Sequence, residues 1–576
     1  MKKLTSRAAF LISAGVLMAS PAFAVGYYHK PGADVGYWDE TAYWWTNDSY
    51  TSPLGSGTQV NRGFLDPATL AVRTTDVTFD TFAAGAPANS ATPATLRVEN
   101  GGLATFNDVR IGTGIWGTFY GAVDVQKGGL LRVKAGTPFL VGAGSGGQGV
   151  VTNAGTVRFF NARPDMVVGK DAGSSGKWVQ NGGAITWDYE RDIVVGQDGV
   201  GELIAVTDFT MSPRDATVEG CLLVGCGTSG SGRGTVTIEE GSTFRAYEAY
   251  LGGYSPSAVG MLSSYFGGVV SVAGSGRVVL RGGTLKSVSN RGRQAGADSV
   301  WIGAATNANG AVRADSHGEI RGWGKVDITD SVYENKGVWA RLGNGAIVAD
   351  GEGVERTLDC SLVYQVTNVL FVSETERTNG WYAVNKGALL FPTVDNAYRF
   401  NNSSAYGYYD SAACIGCDPS LAKPDLVNAV RIHAQRNYMQ KGFNMAAMLL
   451  APDRTDVHAD ALHSKYLPIG FWKAGTFSSR TAQTTVENRW DFTSADIDFR
   501  YDHRKVRRSD SPIVVLRWDA SAGKWTKVAK YVVQPADCIV SSGAMTTVNA
   551  DAESPWSLGL FCVAELSPTG FVLTVQ

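Results

Sequence analysis

The chain runs to 576 residues, several times the size at which a single core stops growing, so it holds either several domains or a stacked array. Its formal charge of -2, from 51 Lys+Arg against 53 Asp+Glu, lacks the basic excess that a nucleic acid or an anionic membrane asks of a partner. Seven cysteines are too few for a disulfide scaffold, and odd in number.

The first segment, residues 1–24, reads MKKLTSRAAFLISAGVLMASPAFA. Lys2, Lys3 and Arg7 precede an apolar run from Ala8 to Met18, and Ala22-Phe23-Ala24 supplies the small residues that a signal peptidase cuts after, so the segment reads as a signal peptide. The run is well short of the ~20 residues that span a bilayer. The mature chain is therefore expected to be exported and not inserted in a membrane, with a formal charge of -5 once the three cations are removed.

Residues 25–70 are rich in aromatics: VGYYHKPGADVGYWDETAYWWTNDSY opens the segment. Large aromatic side chains mostly go to cores, so Tyr37, Trp38, Tyr43, Trp44 and Trp45 read as a cap on whatever follows. In the alternative reading Trp38, Trp44 and Trp45 form a platform on which a sugar ring stacks.

Residues 71–390 carry a repeat. Of 70 glycines, 43 fall between Gly101 and Gly310, against nine in 391–576, which separates a Gly-rich body from a conventional tail somewhere in 350–420. Gly112, Gly142, Gly169, Gly196, Gly225, Gly252 and Gly303 each close an aliphatic run, at spacings of 30, 27, 27, 29, 27 and 51, the last read as two steps with a missed rung. The residue before each anchor is Ile111, Val141, Val168, Val195, Val224, Leu251 or Ile302, and two places further back stand Val109, Phe139, Met166, Ile193, Leu222, Ala249 and Val300. Those two positions share one face of a strand, so stacked repeats line them up in aliphatic columns. Gly128-Gly129, Gly155, Gly182-Gly183, Gly241 and Gly318 read as further corners, which gives about three short strands per period. Helical spacing is absent from 60–400, and a propeller blade needs a longer period of about 40–50 residues. The pattern predicts a β-solenoid whose rungs lie ~4.8 Å apart, a rod of roughly 50 Å for ten or so rungs.

In the tail, residues 391–576, Ala495–Asp502, Pro512–Asp519, Lys524–Thr526, Leu426–Gln435, Phe443–Leu450 and Trp556–Glu565 read as strands of an antiparallel sandwich. Cys221 and Cys226, about 17 Å apart on an extended chain, are too distant for a bridge. Cys414 with Cys417 would close a small loop and Cys538 with Cys562 would staple the tail; the CxxC lacks the second pair that a zinc site needs.

Three groups have the residue types of a site. Asp108, Asp165, Asp192 and Glu248 stand four places before their anchors, which puts Asp165 and Asp192 on neighbouring rungs about 5 Å apart. A Ca2+ ladder would need six to eight oxygens per ion, and no GGxGxD nonapeptide supplies them; aspartates that accept a local backbone hydrogen bond at a strand start are the preferred reading, with no cofactor expected. Asp188, Glu190 and Asp192 alternate in WDYERDI, so an extended backbone would project all three to one side, the pairing of acids that glycoside chemistry requires. His458 and His463 in HADALH are one residue too far apart for a zincin pair and have no glutamate between them.

The cadence VG...GSG..V.V..GG.L over 95–320, the GYWDETAYW opening and the tail SPWSLGLFCVAEL together resemble the Gly-rich repeats, Trp-rich entries and closing strands of exported bacterial β-solenoid proteins of the autotransporter-passenger kind. The chain ends GFVLTVQ without an array of alternating membrane strands, a departure from the autotransporter plan. The resemblance implies an all-β, right-handed β-solenoid (β-helix) of ~27-residue three-strand rungs with a C-terminal antiparallel β-sandwich. It implies a secreted chain, in the extracellular space, at a bacterial cell surface or in the periplasm. Its expected partner is an extracellular polysaccharide or cell-surface polymer, met in a structural or adhesive role. The alternative is a polysaccharide lyase or glycoside hydrolase on the same scaffold, with Asp188, Glu190 and Asp192 as its acids.

Overall fold

The structure is a computed structural model. It describes residues 24–28, 35–38, 40, 44–45, 60–65, 69–73, 76–84, 86–87, 93–113, 119–134, 138–160, 165–188, 192–211, 220–254, 272–287, 298–303, 305, 313, 315–327, 339–342, 345–351, 356–362, 381–386, 388–390, 429–436, 444–450, 452, 455–477, 492–528, 532–533, 538–543, 545 and 557–567. These residues build an all-β chain dominated by long parallel sheets, an arrangement compatible with a β-solenoid.

The first parallel ladder holds the strands that end on the anchor glycines. Phe139–Ala143, Met166–Val168, Ile193–Val195, Leu222–Val224 and Ala249–Leu251 pair in that order, with Val141 opposite Val168, Val168 opposite Val195 and Val195 opposite Val224. The residues one and three places before each anchor, from Val109 and Ile111 to Val300 and Ile302, all belong to one apolar core and are buried. The expected aliphatic columns are therefore present. Ala249–Leu251 pairs directly with Val300–Ile302, which corrects the missed rung: the 51-residue spacing is one enlarged step, whose extra residues include 255–271 and 288–297.

A second ladder starts just beyond the anchors and carries a column of its own. Gly121, Gly149, Gly176, Gly201, Gly234, Gly276, Gly318 and Gly345 stand opposite one another in unbroken register. Gly318 thus belongs to a strand, His317–Asp327, and is no corner. The reason for the column is contact: a Cβ on Gly176 would lie 2.1 Å from the Val141 carbonyl oxygen and 2.5 Å from the Gly169 nitrogen. The anchors complete the fit, since Gly169 has a φ of +74° and a Cβ there would meet the Val200 carbonyl at 2.2 Å.

The third ladder runs through Leu130–Val133, Thr156–Phe159 and Ala184–Trp187, then separately through Phe209–Thr210, Thr243–Ala246 and the C-terminal part of Ser275–Ser287. Its inward side chains meet those of the other ladders in the same core. Phe159 stacks on Trp187 with ring centroids 4.2 Å apart, Phe209 on Phe244 at 4.7 Å, and Phe139 packs edge-on against both Phe159 and Trp178. Polar side chains inside link neighbouring repeats: Asn153 Nδ2 donates to Gln180 Oε1 at 3.1 Å and to the Ala184 carbonyl, while the Trp178 indole donates to the same Gln180 oxygen.

The first parallel sheet meets an antiparallel strand at its N-terminal end and the second at its C-terminal end, which covers edges that would otherwise template further pairing. At the N-terminal end Trp44–Trp45 runs antiparallel to Ala24–Tyr28. At the other end Trp381–Lys386 receives Ala429–Arg436, and Ala388–Leu390 receives Asn444–Leu450, both antiparallel. The tail strands continue from there in two antiparallel series, Ala429–Arg436 with Phe492–Arg500, and Asn444–Leu450 with Tyr466–Phe477, Ser557–Leu566 and Pro512–Asp519. Rings from the two series meet, Trp472 against Phe499 at 5.3 Å and Phe499 against Phe561 at 5.4 Å. Tyr466–Phe477, the longest of these strands, escaped the sequence reading because Pro468, Gly470 and Gly475 break its pattern. Cys538 and Cys562 carry no disulfide, which corrects the expected staple; Cys221 and Cys226 are also thiols, as expected, and Cys414 and Cys417 lie outside the described residues.

Candidate functional site

The acidic column makes backbone contacts between repeats. Asp165 Oδ1 accepts the backbone N–H of Asp192 at 3.2 Å, and Asp192 Oδ1 accepts the N–H of Cys221 at 2.8 Å. Each carboxylate thus holds the start of the strand 27 or 29 residues further on. The bond is to a backbone group, as expected, though across repeats instead of within a turn. Glu248, in the same column, is buried, and the Tyr250 hydroxyl donates to its carboxylate. No group of three or more His, Cys, Asp or Glu side chains suited to a metal ion occurs among the described residues.

The second acidic group is not laid out on one strand. Ala184–Trp187 ends before Asp188 and Ile193–Val195 begins after Asp192, so neither aspartate belongs to a strand. Asp188 is tied to Arg158, whose Nη2 lies 3.2 Å from both carboxylate oxygens, while Asp192 serves the Cys221 N–H. Glu190 lies outside the described residues. The Arg158 guanidinium thus pairs with the Asp188 carboxylate across 30 residues of chain.

Of the N-terminal aromatics, Trp38 packs against the main core and its N–H donates to the Ala71 carbonyl, and Trp45 is half-buried. Trp44 lies beside it in the end strand, and Tyr43 outside the described residues. The Arg73 guanidinium covers the Tyr37 ring at 3.7 Å. For Trp38 these contacts are those of a cap. His458 and His463 do not converge: His458 stacks on Trp518 at 4.1 Å, whereas His463 Nδ1 accepts the Lys465 N–H.

Two features escaped sequence reasoning. The residues between the paired inward positions, Leu140, Val167, Val194, Leu223, Tyr250 and Trp301, face away from the main core yet are buried in a second apolar cluster, with Cys221 and Cys226. The signal was there, since the strands are apolar at every position, the habit of sheets covered on both faces. Burial within this cluster pushes the Cys226 thiol up to about 12. The other feature is the turn DHRKVRRSD, residues 502–510, which presents four Lys and Arg side chains to solvent within one short excursion from the tail sheet. Burial of Asp502 opposes its ionisation, but hydrogen bonds from the Arg504 side chain and N–H outweigh that and hold its carboxyl below the ordinary carboxylate value.

No helix among the described residues is long and apolar enough to cross a membrane. No family model matches the chain, and neither a curated protein nor a solved structure matches it.

Proposed function

We propose that the chain is an exported right-handed β-solenoid of ~27-residue three-strand rungs, closed by a C-terminal antiparallel β-sandwich, that works as a structural or adhesive component contacting polymers at a bacterial surface. The observation that carries this reading is the register of glycines and aliphatics over at least seven successive pairings, which makes the molecule a long regular scaffold whose outer side chains recur from repeat to repeat. Two of the three carboxylates that would have served hydrolysis support it further, because Asp188 and Asp192 each tie one repeat to another. The N-terminal signal and the resemblance to autotransporter-passenger repeats point to export and to surface use.

Two measurements on the mature protein test this. Antibody labelling of intact cells is expected to find it at the surface or in the surrounding matrix, and a glycan array is expected to show retention of a polymer without turnover. Labelling confined to the cytoplasm would defeat the reading, and oligosaccharides released from the array would move the function to the lyase or hydrolase alternative.

A further inference from the structure

We propose that the turn at residues 502–510 is a docking site for an acidic polysaccharide, a polymer with a carboxylate or sulfate group on each sugar unit. Four cations, Arg504, Lys505, Arg507 and Arg508, stand against two aspartates in this stretch, and His503 through Asp510 are exposed apart from the half-buried Val506. Asp502 forks Arg504, accepting from Nε at 2.8 Å and Nη2 at 3.1 Å, and Asp510 forks Arg508 at 3.3 and 3.2 Å. At Arg504 the fork engages two of the five N–H groups of the guanidinium. Lys505 and Arg507 make no ion pair among the described residues.

The turn is also built to stay in place. A 3-10 turn at His503–Lys505 is capped by the Asp502 side chain on the Arg504 N–H, and Lys505 N–H and Val506 N–H donate to the carbonyls of Asp502 and His503. Val506 packs against the main core. The Arg507 N–H donates at 2.8 Å to Glu565 Oε2, a carboxylate buried in the neighbouring strand Ser557–Leu566. Holding a carboxylate there costs desolvation, and its hydrogen bond fixes the backbone between the two forked arginines, next to Arg508. A loop fixed in advance loses little entropy when a charged polymer lies across it.

The chemistry of the turn selects among polyanions. Its one apolar side chain, Val506, is turned inward, so it offers nothing to insert into a lipid layer. It carries no aromatic ring for a base to stack on, apart from the imidazole of His503, and the chain as a whole has no basic excess, which disfavours nucleic acid. Guanidinium forks suit the planar carboxylate of a uronate.

This rests on the polymer-contact reading above and names the class of polymer. The test is affinity electrophoresis of the full chain in gels holding polygalacturonate, neutral dextran, or neither. Polygalacturonate is expected to retard the protein at low ionic strength, dextran not to, and added salt to release it. Lys505→Ala/Arg507→Ala is expected to weaken retention about tenfold, and Lys127→Ala/Lys134→Ala, two cations on the parallel stack, to leave it unchanged. Circular dichroism of both variants checks that they fold. Equal retention of the two variants, no retention at all, or tighter binding to anionic vesicles or DNA would overturn the assignment. Dextran or cell-surface binding that persists undiminished in Lys505→Ala/Arg507→Ala would sink this site while leaving the polymer-contact reading intact; absence of any polymer or surface binding by the unsubstituted chain would sink both.

Discussion

Gly201 lies so close to Gly196 that a Cβ on the first would sit 2.2 Å from the backbone nitrogen of the second. Gly196 has a φ of +73°, and a Cβ on it would meet the Arg233 carbonyl oxygen, one repeat further on, at 2.1 Å. Both ends of this contact are backbone, so nothing flexible can move aside. Gly196→Ala is expected to cost roughly 3 kcal/mol or more, combining a left-handed φ with the clash. Gly182, with a φ of +86° and nothing within 4 Å of a Cβ, isolates the conformational part, and Gly182→Ala is expected to cost about 1–2 kcal/mol. Urea unfolding of both variants checks the order; equal losses would contradict the close approach.

The carboxylate column predicts a stability effect with no chemistry attached. Asp192→Ala removes the acceptor for the Cys221 N–H and is expected to destabilise by about 1–2 kcal/mol. Asp192→Asn keeps an acceptor oxygen and is expected to recover most of that loss. Thermal melts of the two variants decide it, since a purely electrostatic role would leave Asn as damaging as Ala.

Thiol chemistry reads out the second apolar cluster. Cys226, with its thiol near 12, is expected to resist maleimide at pH 8 in the folded chain, while the partly exposed Cys538 labels first, as peptide mass spectrometry would show. The sign of the accompanying pH effect follows from the raised value. In the unfolded chain the thiol ionises near 9.0, but the folded chain keeps it neutral to about 12. The stability this contributes is complete below pH 9.0, and falls as pH rises toward 12. Replacing Cys226 by Ala should flatten that alkaline loss.

Acid should act on the basic turn in the opposite sense. Asp502 has a folded value below its ordinary 3.8 because the Arg504 hydrogen bonds outweigh the penalty of burial. Its contribution is present above 3.8 and is lost as pH falls through the lower folded value. Amide exchange at Arg504 and Lys505, followed by NMR or mass spectrometry, is expected to accelerate below that point, and Asp502→Asn to show the faster exchange already at neutral pH.

The period was legible because its two causes are printed in the residue types: a positive φ at Gly142, Gly169 and Gly196 admits little but glycine, and the inward positions at Val141, Val168 and Val195 admit only apolar side chains. The second glycine column was not seen, because Gly176 or Gly201 in a strand looks like any other glycine until the neighbouring repeat is placed against it. Strand ends failed for the reverse reason: Asp188 and Asp192 read as part of one alternating strand, yet the strands stop at Trp187 and restart at Ile193, a boundary set by pairing with the neighbouring repeats. The tie between Asp188 and Arg158 joins residues 30 apart and depends on a register that no local pattern reveals.

The central claim is that register, and cross-linking measures it. Thr152 stands opposite Val179 on the next repeat, and Val179 opposite Ile204 on the one after, so neighbouring outward positions lie about 4.8 Å apart and alternate ones about twice that. In a chain whose native cysteines are replaced by alanine or serine, Thr152→Cys/Val179→Cys is expected to form a disulfide on mild oxidation, and Thr152→Cys/Ile204→Cys to remain as thiols. A bridge between 152 and 204, or none between 152 and 179, would contradict the stacked register and the account built on it.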